Sequence, residues 1–144
     1  STSFLTDESL PKKGILSKRK PSKDELADIE FGWKLAKEMG RLDIGQTVVV
    51  KNQAILAIEA IEGTDEAILR GGRLGSGEVT VVKVAKPNQD MRFDVPTIGL
   101  KTLDALIQAK VRALAFEAGK TILLDRKQFM DRANEHKITV VGKE

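Results

Sequence analysis

The chain has 144 residues and a mass of 15.8 kDa, the size of one globular domain around one core. Hydrophobic residues make up 41% and charged residues 31%, which excludes a wholly disordered chain, while an aromatic share of only 4% leaves the core to aliphatic packing. The absence of cysteine excludes disulfides, zinc–thiolate centres and thiol catalysis, and the formal charge of +3 divides into +4 for residues 1–23 and −1 for residues 24–144.

Residues 1–21 are expected to form an extended approach segment. Pro11, Gly14 and Pro21 interrupt it, and the run Lys18-Arg19-Lys20 is expected to stay in solvent. A helix follows from Ser22. Ser22 and Glu25 form the S-x-x-E capping box, and Asp24 and Glu25 suit the positive end of the helix dipole. Leu26, Ile29, Trp33 and Ala36 recur at helical spacing, and Gly40 supplies a stop.

Beyond it come short apolar runs separated by glycine-rich or charged turns. Residues 47–50 and 55–58 are predicted strands joined through Lys51-Asn52-Gln53, hence a hairpin. Thr64 or Asp65 caps a short helix to about Arg70, and the glycine-rich stretch 71–77 is expected to be an irregular, mobile connection. Residues 79–84 form a further strand, followed by a polar loop from Lys86 to Pro96. Residues 100–109 are predicted helical, 113–116 and 122–124 strands, 126–136 helical, and 138–141 a last strand. Strands alternating with helices indicate α/β layering, and the hairpin makes the sheet mixed rather than purely parallel. No apolar run reaches the roughly 20 residues a membrane helix needs.

One internal echo stands out. Residues 54–60 (AILAIEA) resemble residues 112–118 (RALAFEA), each placing a carboxylate, Glu59 or Glu117, just beyond a strand. Two such strands opening onto one cleft is one reading; coincidence among aliphatic strands is the other.

Two loops hold most of the polar chemistry. Residues 59–65 carry Glu59, Glu62 and Asp65 directly after an apolar strand, with Thr64 among them. Residues 83–96 carry Lys83, Lys86, Gln89, Asp90, Arg92 and Asp94 between a strand and Pro96. Carboxylates and neutral amides are the hard oxygen ligands magnesium prefers, and neighbouring cations suit phosphate oxygens. Together they supply what cleavage of a phosphoanhydride needs. The competing reading is a pair of solvated loops whose charges satisfy one another.

Other motifs are weaker. Gly72 and Gly77 have the separation of a phosphate loop, but Glu78 stands where lysine is required. Gly119-Lys120-Thr121 has the correct ending, with Leu114 where the leading glycine belongs. His136 is the single histidine, near the end of a predicted helix whose dipole accounts for it.

Taken together, residues 59–65, 82–87, 89–96 with Ile98-Gly99 and Thr102, residues 116–121, and Asp43-Ile44-Gly45-Gln46 before Val48-Val49-Val50 resemble the LpxI family, in family order and over essentially the whole chain. One departure is Gly71, where the family often has a further basic residue. The resemblance implies an α/β domain with a mixed sheet flanked by helices, the C-terminal half of a two-domain enzyme. Residues 22–144 would be its catalytic domain, residues 1–21 the interdomain connection, and a Rossmann-like N-terminal domain would lie outside this chain. The implied activity is a UDP-2,3-diacylglucosamine pyrophosphohydrolase of lipid A synthesis, using Mg2+ and water to yield UMP and 2,3-diacylglucosamine 1-phosphate (lipid X).

The residue roles that follow are expectations from that resemblance. Asp90 binds metal or activates water. Glu62, Asp65 and Asp94 are supporting ligands or positioners, with Asp94 and Glu62 counted as catalytic beside Asp90. Lys83, Lys86 and Arg92 stabilise pyrophosphate charge, with Gln89 and Thr64 as further phosphate contacts. The expected partners are the UDP-sugar lipid, lipid X and the N-terminal domain, at a cytoplasmic location beside the inner membrane, with membrane contact and self-association as further expectations. The alternative is a non-catalytic nucleotide- or nucleic-acid-binding module. The charge of −1 over residues 24–144 argues against nucleic acid.

Overall fold

In a computed structural model, residues 10–87 and 95–144 are described. The Ser22 hydroxyl accepts the Glu25 amide at 3.1 Å and the Glu25 carboxylate takes the Ser22 amide at 3.0 Å, so the capping box closes and helix α1 (Lys23–Arg41) starts where predicted. Gly40 does not end it. Gly40 is buried inside the helix against Ala85, Lys86 and Pro87, and the chain leaves at Leu42.

Strands β2 (Thr47–Lys51) and β3 (Ala54–Ile58) form the expected hairpin. Asn52 and Gln53 both have positive φ, the geometry that matches a two-residue turn to strand twist. Their amides are taken by the buried Asp28 carboxylate of α1 at 3.1 and 2.7 Å, a partner sequence reasoning did not single out.

Helix α2 (Thr64–Gly75) corrects the expectation for the glycine stretch. Gly71 and Gly72 remain helical despite costing about 1 kcal/mol each relative to alanine. A Cβ on Gly71 would stand 2.5 Å from the Val49 Cβ, and one on Gly72 would stand 2.5 Å from the Ala109 Cβ. The two glycines are contact points that let α2 close onto its neighbours, and a basic side chain at 71 has no room. The helix ends at Ser76, in the left-handed region, followed by Gly77.

Strand β4 (Val79–Lys83) comes next, then β5 (Thr97–Ile98), helix α3 (Leu100–Gln108) and β6 (Val111–Glu117). Strand β7 (Ile122–Leu123), helix α4 (Arg126–Glu135, with His136 as its C-cap) and β8 (Thr139–Lys143) complete the body. Leading residues Gly14–Ile15 form a short β1. The main sheet runs β1-β8-β6-β4-β2-β3, with β4, β6 and β8 parallel and the outer pairings antiparallel, and β5 and β7 form a separate parallel pair. The mixed α/β sheet expected from the sequence is present.

Alternation divides the core into two layers. Val48, Val50 and Val82 face α1, which approaches closely because Gly32 leaves room for all three valines. Val49, Val81, Leu114 and Phe116 face the opposite side, packed beneath α2, α3 and α4 with Ile68, Leu103, Leu106 and Phe129. Among the described residues, no helix is long and apolar enough to cross a membrane.

Residues 10–21, the described part of the leading segment, are tied down. The β1 strand pairs with β8, and the Gly119 amide donates to the Pro11 carbonyl at 3.0 Å. Arg19 is not left to solvent as the basic run suggested. Its guanidinium holds the Glu25 carboxylate through two bonds of 2.8 and 2.7 Å and reaches the Thr139 hydroxyl at 2.6 Å.

Candidate functional site

In an open α/β sheet, ligands collect beyond the carboxyl ends of the parallel strands. Here that end carries Lys83 at the close of β4, Glu117 at the close of β6 and Lys143 at the close of β8. The antiparallel β2 brings its first residue, Thr47, opposite Lys83, and the Glu59 amide donates to the Thr47 carbonyl at 2.8 Å. Glu59, Thr47, Lys83 and Phe116 therefore lie in one row across the sheet.

Lys83 follows Val79 and Val81 on the face beneath α2 and α3, where it is only 7% exposed. Its ammonium donates to the Thr97 carbonyl of β5 at 3.2 Å. Burial pushes the Lys83 ammonium below the ordinary lysine range, while the nearby Glu59 and Asp65 charges act to raise it. With a single hydrogen bond among the described residues, this buried cation is short of partners for its three donors.

Those two carboxylates come from the β3–α2 loop and the first turn of α2. Glu59 accepts the Thr64 hydroxyl at 3.1 Å, and the Thr64 and Thr47 hydroxyls lie 3.3 Å apart. Asp65 accepts the Thr102 hydroxyl at 2.7 Å, which joins the first turn of α2 to the first turn of α3. Both helices begin at a glycine, Gly63 and Gly99, and neither has a side-chain cap. Two uncapped helix N-termini thus sit side by side at the end of the sheet where Lys83 lies, an arrangement suited to an anion.

Of the predicted site residues, the structure gathers Lys83, Thr64 and Asp65. Glu62 stands apart, with one oxygen taking the Ala60 amide at 2.9 Å and the other the Arg70 guanidinium at 3.0 Å. The Ala60 amide and the Arg70 bond hold the Glu62 carboxyl below its usual range. Lys86 pairs with Asp43 at 2.8 Å. Gln89, Asp90, Arg92 and Asp94 lie outside the described residues. Among the described residues, no three acidic or histidine side chains gather to hold a metal, so Glu62 and Asp65 do not by themselves form the expected magnesium site.

Sequence reasoning missed the Thr97 carbonyl, which residue type cannot reveal, and Thr47, hidden as the first residue of an apolar strand. The AILAIEA/RALAFEA echo is resolved differently from the one-cleft reading. Glu59 and Glu117 share one end of the sheet but lie on opposite faces. Glu117, 6% exposed, faces α1, where both oxygens take the Lys37 ammonium and one takes the Ala85 amide.

Residues 12–141 match the LpxI C-terminal domain. The UDP-2,3-diacylglucosamine pyrophosphatase LpxI of Caulobacter vibrioides is 36% identical over 138 residues, covering 90% of this chain and 49% of that protein. The chain therefore spans about half the length of the curated relative it matches. With nine-tenths of its length inside that match, the chain belongs to the LpxI family, as the C-terminal domain.

Proposed function

We propose that this chain is the catalytic half of a pyrophosphatase that hydrolyses UDP-2,3-diacylglucosamine to UMP and 2,3-diacylglucosamine 1-phosphate. The observation that carries this reading is the buried, under-partnered Lys83 beside the uncapped N-termini of α2 and α3. A pyrophosphate placed there would receive hydrogen bonds from backbone amides and charge from Lys83 in a site with little competing water. The relative's substrate and family membership supply the identity of the anion.

In this reading Lys83, Lys86 and Arg92 bear the charge of the pyrophosphate, and Thr64 and Gln89 contact its oxygens. Water attacks one phosphorus and gives up a proton to solvent, the bridging P–O bond breaks with its electron pair staying on the leaving phosphate oxygen, and UMP and the sugar 1-phosphate each keep one phosphate. Asp90 orients that water or holds a metal, with Asp94 in support. Glu62, whose oxygens are occupied, acts by fixing Arg70 against the Ile58 carbonyl. Magnesium, when bound, would neutralise phosphate charge. Asp65 and Asp90 would be the carboxylates that hold it. The protein would work in the cytoplasm beside the inner membrane, with its N-terminal half completing the cleft.

The test uses the protein containing both halves. Asp90→Asn is expected to abolish UMP release while the thermal melt is unchanged, and chelation of divalent ions is expected to do the same reversibly. Near-normal turnover by Asp90→Asn would overturn its assignment. The isolated 144-residue chain is expected to release little UMP, since half of the cleft is elsewhere.

A further inference from the structure

Glu117 is a buried carboxylate that the proposed reaction does not use, yet it joins three elements. Its oxygens accept the Lys37 ammonium of α1 at 3.1 and 2.9 Å, and Lys120 of the following turn lies 3.6 Å away. Its remaining bond, 2.9 Å long, is to the Ala85 amide. The parallel ladder explains why that amide needs it. Lys83 is in register with Phe116, but β6 ends at Glu117 and the chain turns away, the Ala118 amide going to the Lys143 carbonyl. The chain after β4 runs on past the end of its neighbour, and the Glu117 carboxylate stands in for the next strand carbonyl. On the other side, Gln46 holds Val84 at both its amide and its carbonyl, at 2.9 and 3.0 Å. Gly40 backs Ala85, Lys86 and Pro87 from α1. Lys86 directly follows Ala85, and its ammonium meets the exposed Asp43 carboxylate at 2.8 Å.

We infer that Glu117 is a positioning residue for Lys86: neutralised by Lys37, its carboxylate fixes the Ala85 amide and so sets the backbone that presents the Lys86 ammonium to phosphate. The inference rests on the phosphate-binding role proposed for Lys86.

A double-mutant cycle on UMP release, in the protein containing both halves, tests it. Lys86→Ala and Glu117→Ala are each expected to lower kcat/KM by about 10- to 30-fold, the range of a lost charge contact or its misplacement. The double variant is expected to match Lys86→Ala within about twofold, because both changes remove one interaction. Glu117→Gln, which keeps an oxygen for the Ala85 amide, is expected to stay within about threefold of the parent. If Glu117→Ala does not fold, Glu117→Asp carries the same cycle, since it keeps a charge opposite Lys37 but withdraws from the amide. Multiplicative losses in the double variant, or Glu117→Gln falling as far as Glu117→Ala, would overturn the positioning role while leaving Lys86 in place. An unimpaired Lys86→Ala would instead overturn the phosphate role of Lys86, and the inference with it.

Discussion

Lys83 and Glu117 close neighbouring parallel strands at the same end of one sheet, and both are more than nine-tenths buried. They differ in what surrounds them. Glu117 faces α1 and is met by the Lys37 ammonium and the Ala85 amide, with Lys120 close by. Lys83 faces α2 and α3, where among the described residues its ammonium donates to the Thr97 carbonyl and its two carboxylate neighbours act only through space. A buried charge that is fully paired is a structural joint, whereas one left short of partners between two uncapped helices is prepared for something that arrives later. The face toward α1 holds the end of the sheet together; the face toward α2 and α3 is where we propose the pyrophosphate binds.

The largest effect that separates the two faces is expected at Lys83. Lys83→Met keeps the length of the side chain and removes the charge, so turnover is expected to fall by about 10²- to 10³-fold, the cost of losing one preorganised electrostatic contact. Stability should hold or rise, because an apolar side chain replaces a desolvated ammonium. UMP release and a thermal melt measured on the same preparation check both. A variant that retains turnover and melts early would reverse the roles assigned to the two faces.

On the opposite face the balance inverts. Lys37→Met leaves the Glu117 carboxylate buried without its principal counter-ion. It is expected to cost about 1–2 kcal/mol in a denaturant titration, below the 3–5 kcal/mol of a wholly buried broken pair because Lys37 is partly solvated. An unchanged midpoint would show that Lys120 and the Ala85 amide suffice for Glu117, and would weaken the contrast drawn between the faces.

What was legible beforehand follows the range over which each feature is decided. The Ser22–Glu25 capping box and the Asn52-Gln53 turn are settled within a few residues, and both stand as expected. Gly71 and Gly72 are helical against expectation because their helical cost is local while their benefit lies in contacts with Val49 and Ala109. Arg19 looked like part of a solvated basic run, yet one of its partners, Thr139, is 120 residues away. The repeated motif puts a carboxylate at the end of each strand, Glu59 just past β3 and Glu117 as the last residue of β6. Their opposite faces depend on strand register, because a shift of one residue turns a side chain to the other side. At the site itself, lysines and carboxylates were visible as residue types. The burial of Lys83 and the pairing of Glu62 with Arg70 required the folded chain.

The smallest expected effect tests the through-space part of the Lys83 environment. Burial favours the neutral amine, so the Lys83 ammonium loses its proton at a lower pH than an ordinary lysine, and Glu59 is the first of the two charges that oppose this. Glu59→Gln retains an oxygen for the Thr64 hydroxyl but removes the charge. The folded pKa of Lys83 is then expected to fall further, and the alkaline limb of kcat/KM, if set by Lys83, moves to lower pH. Stability carries the same sign. Between the folded and the unfolded pKa of Lys83, the unfolded chain holds a proton that the folded one has released, so stability rises with pH across that window. Lowering the folded value widens the window downward, and the melting temperature of Glu59→Gln should begin its rise at a lower pH than that of the parent. An alkaline limb that stays fixed in Glu59→Gln but disappears in Lys83→Met would assign the charge that supports Lys83 protonation to Asp65 rather than to Glu59.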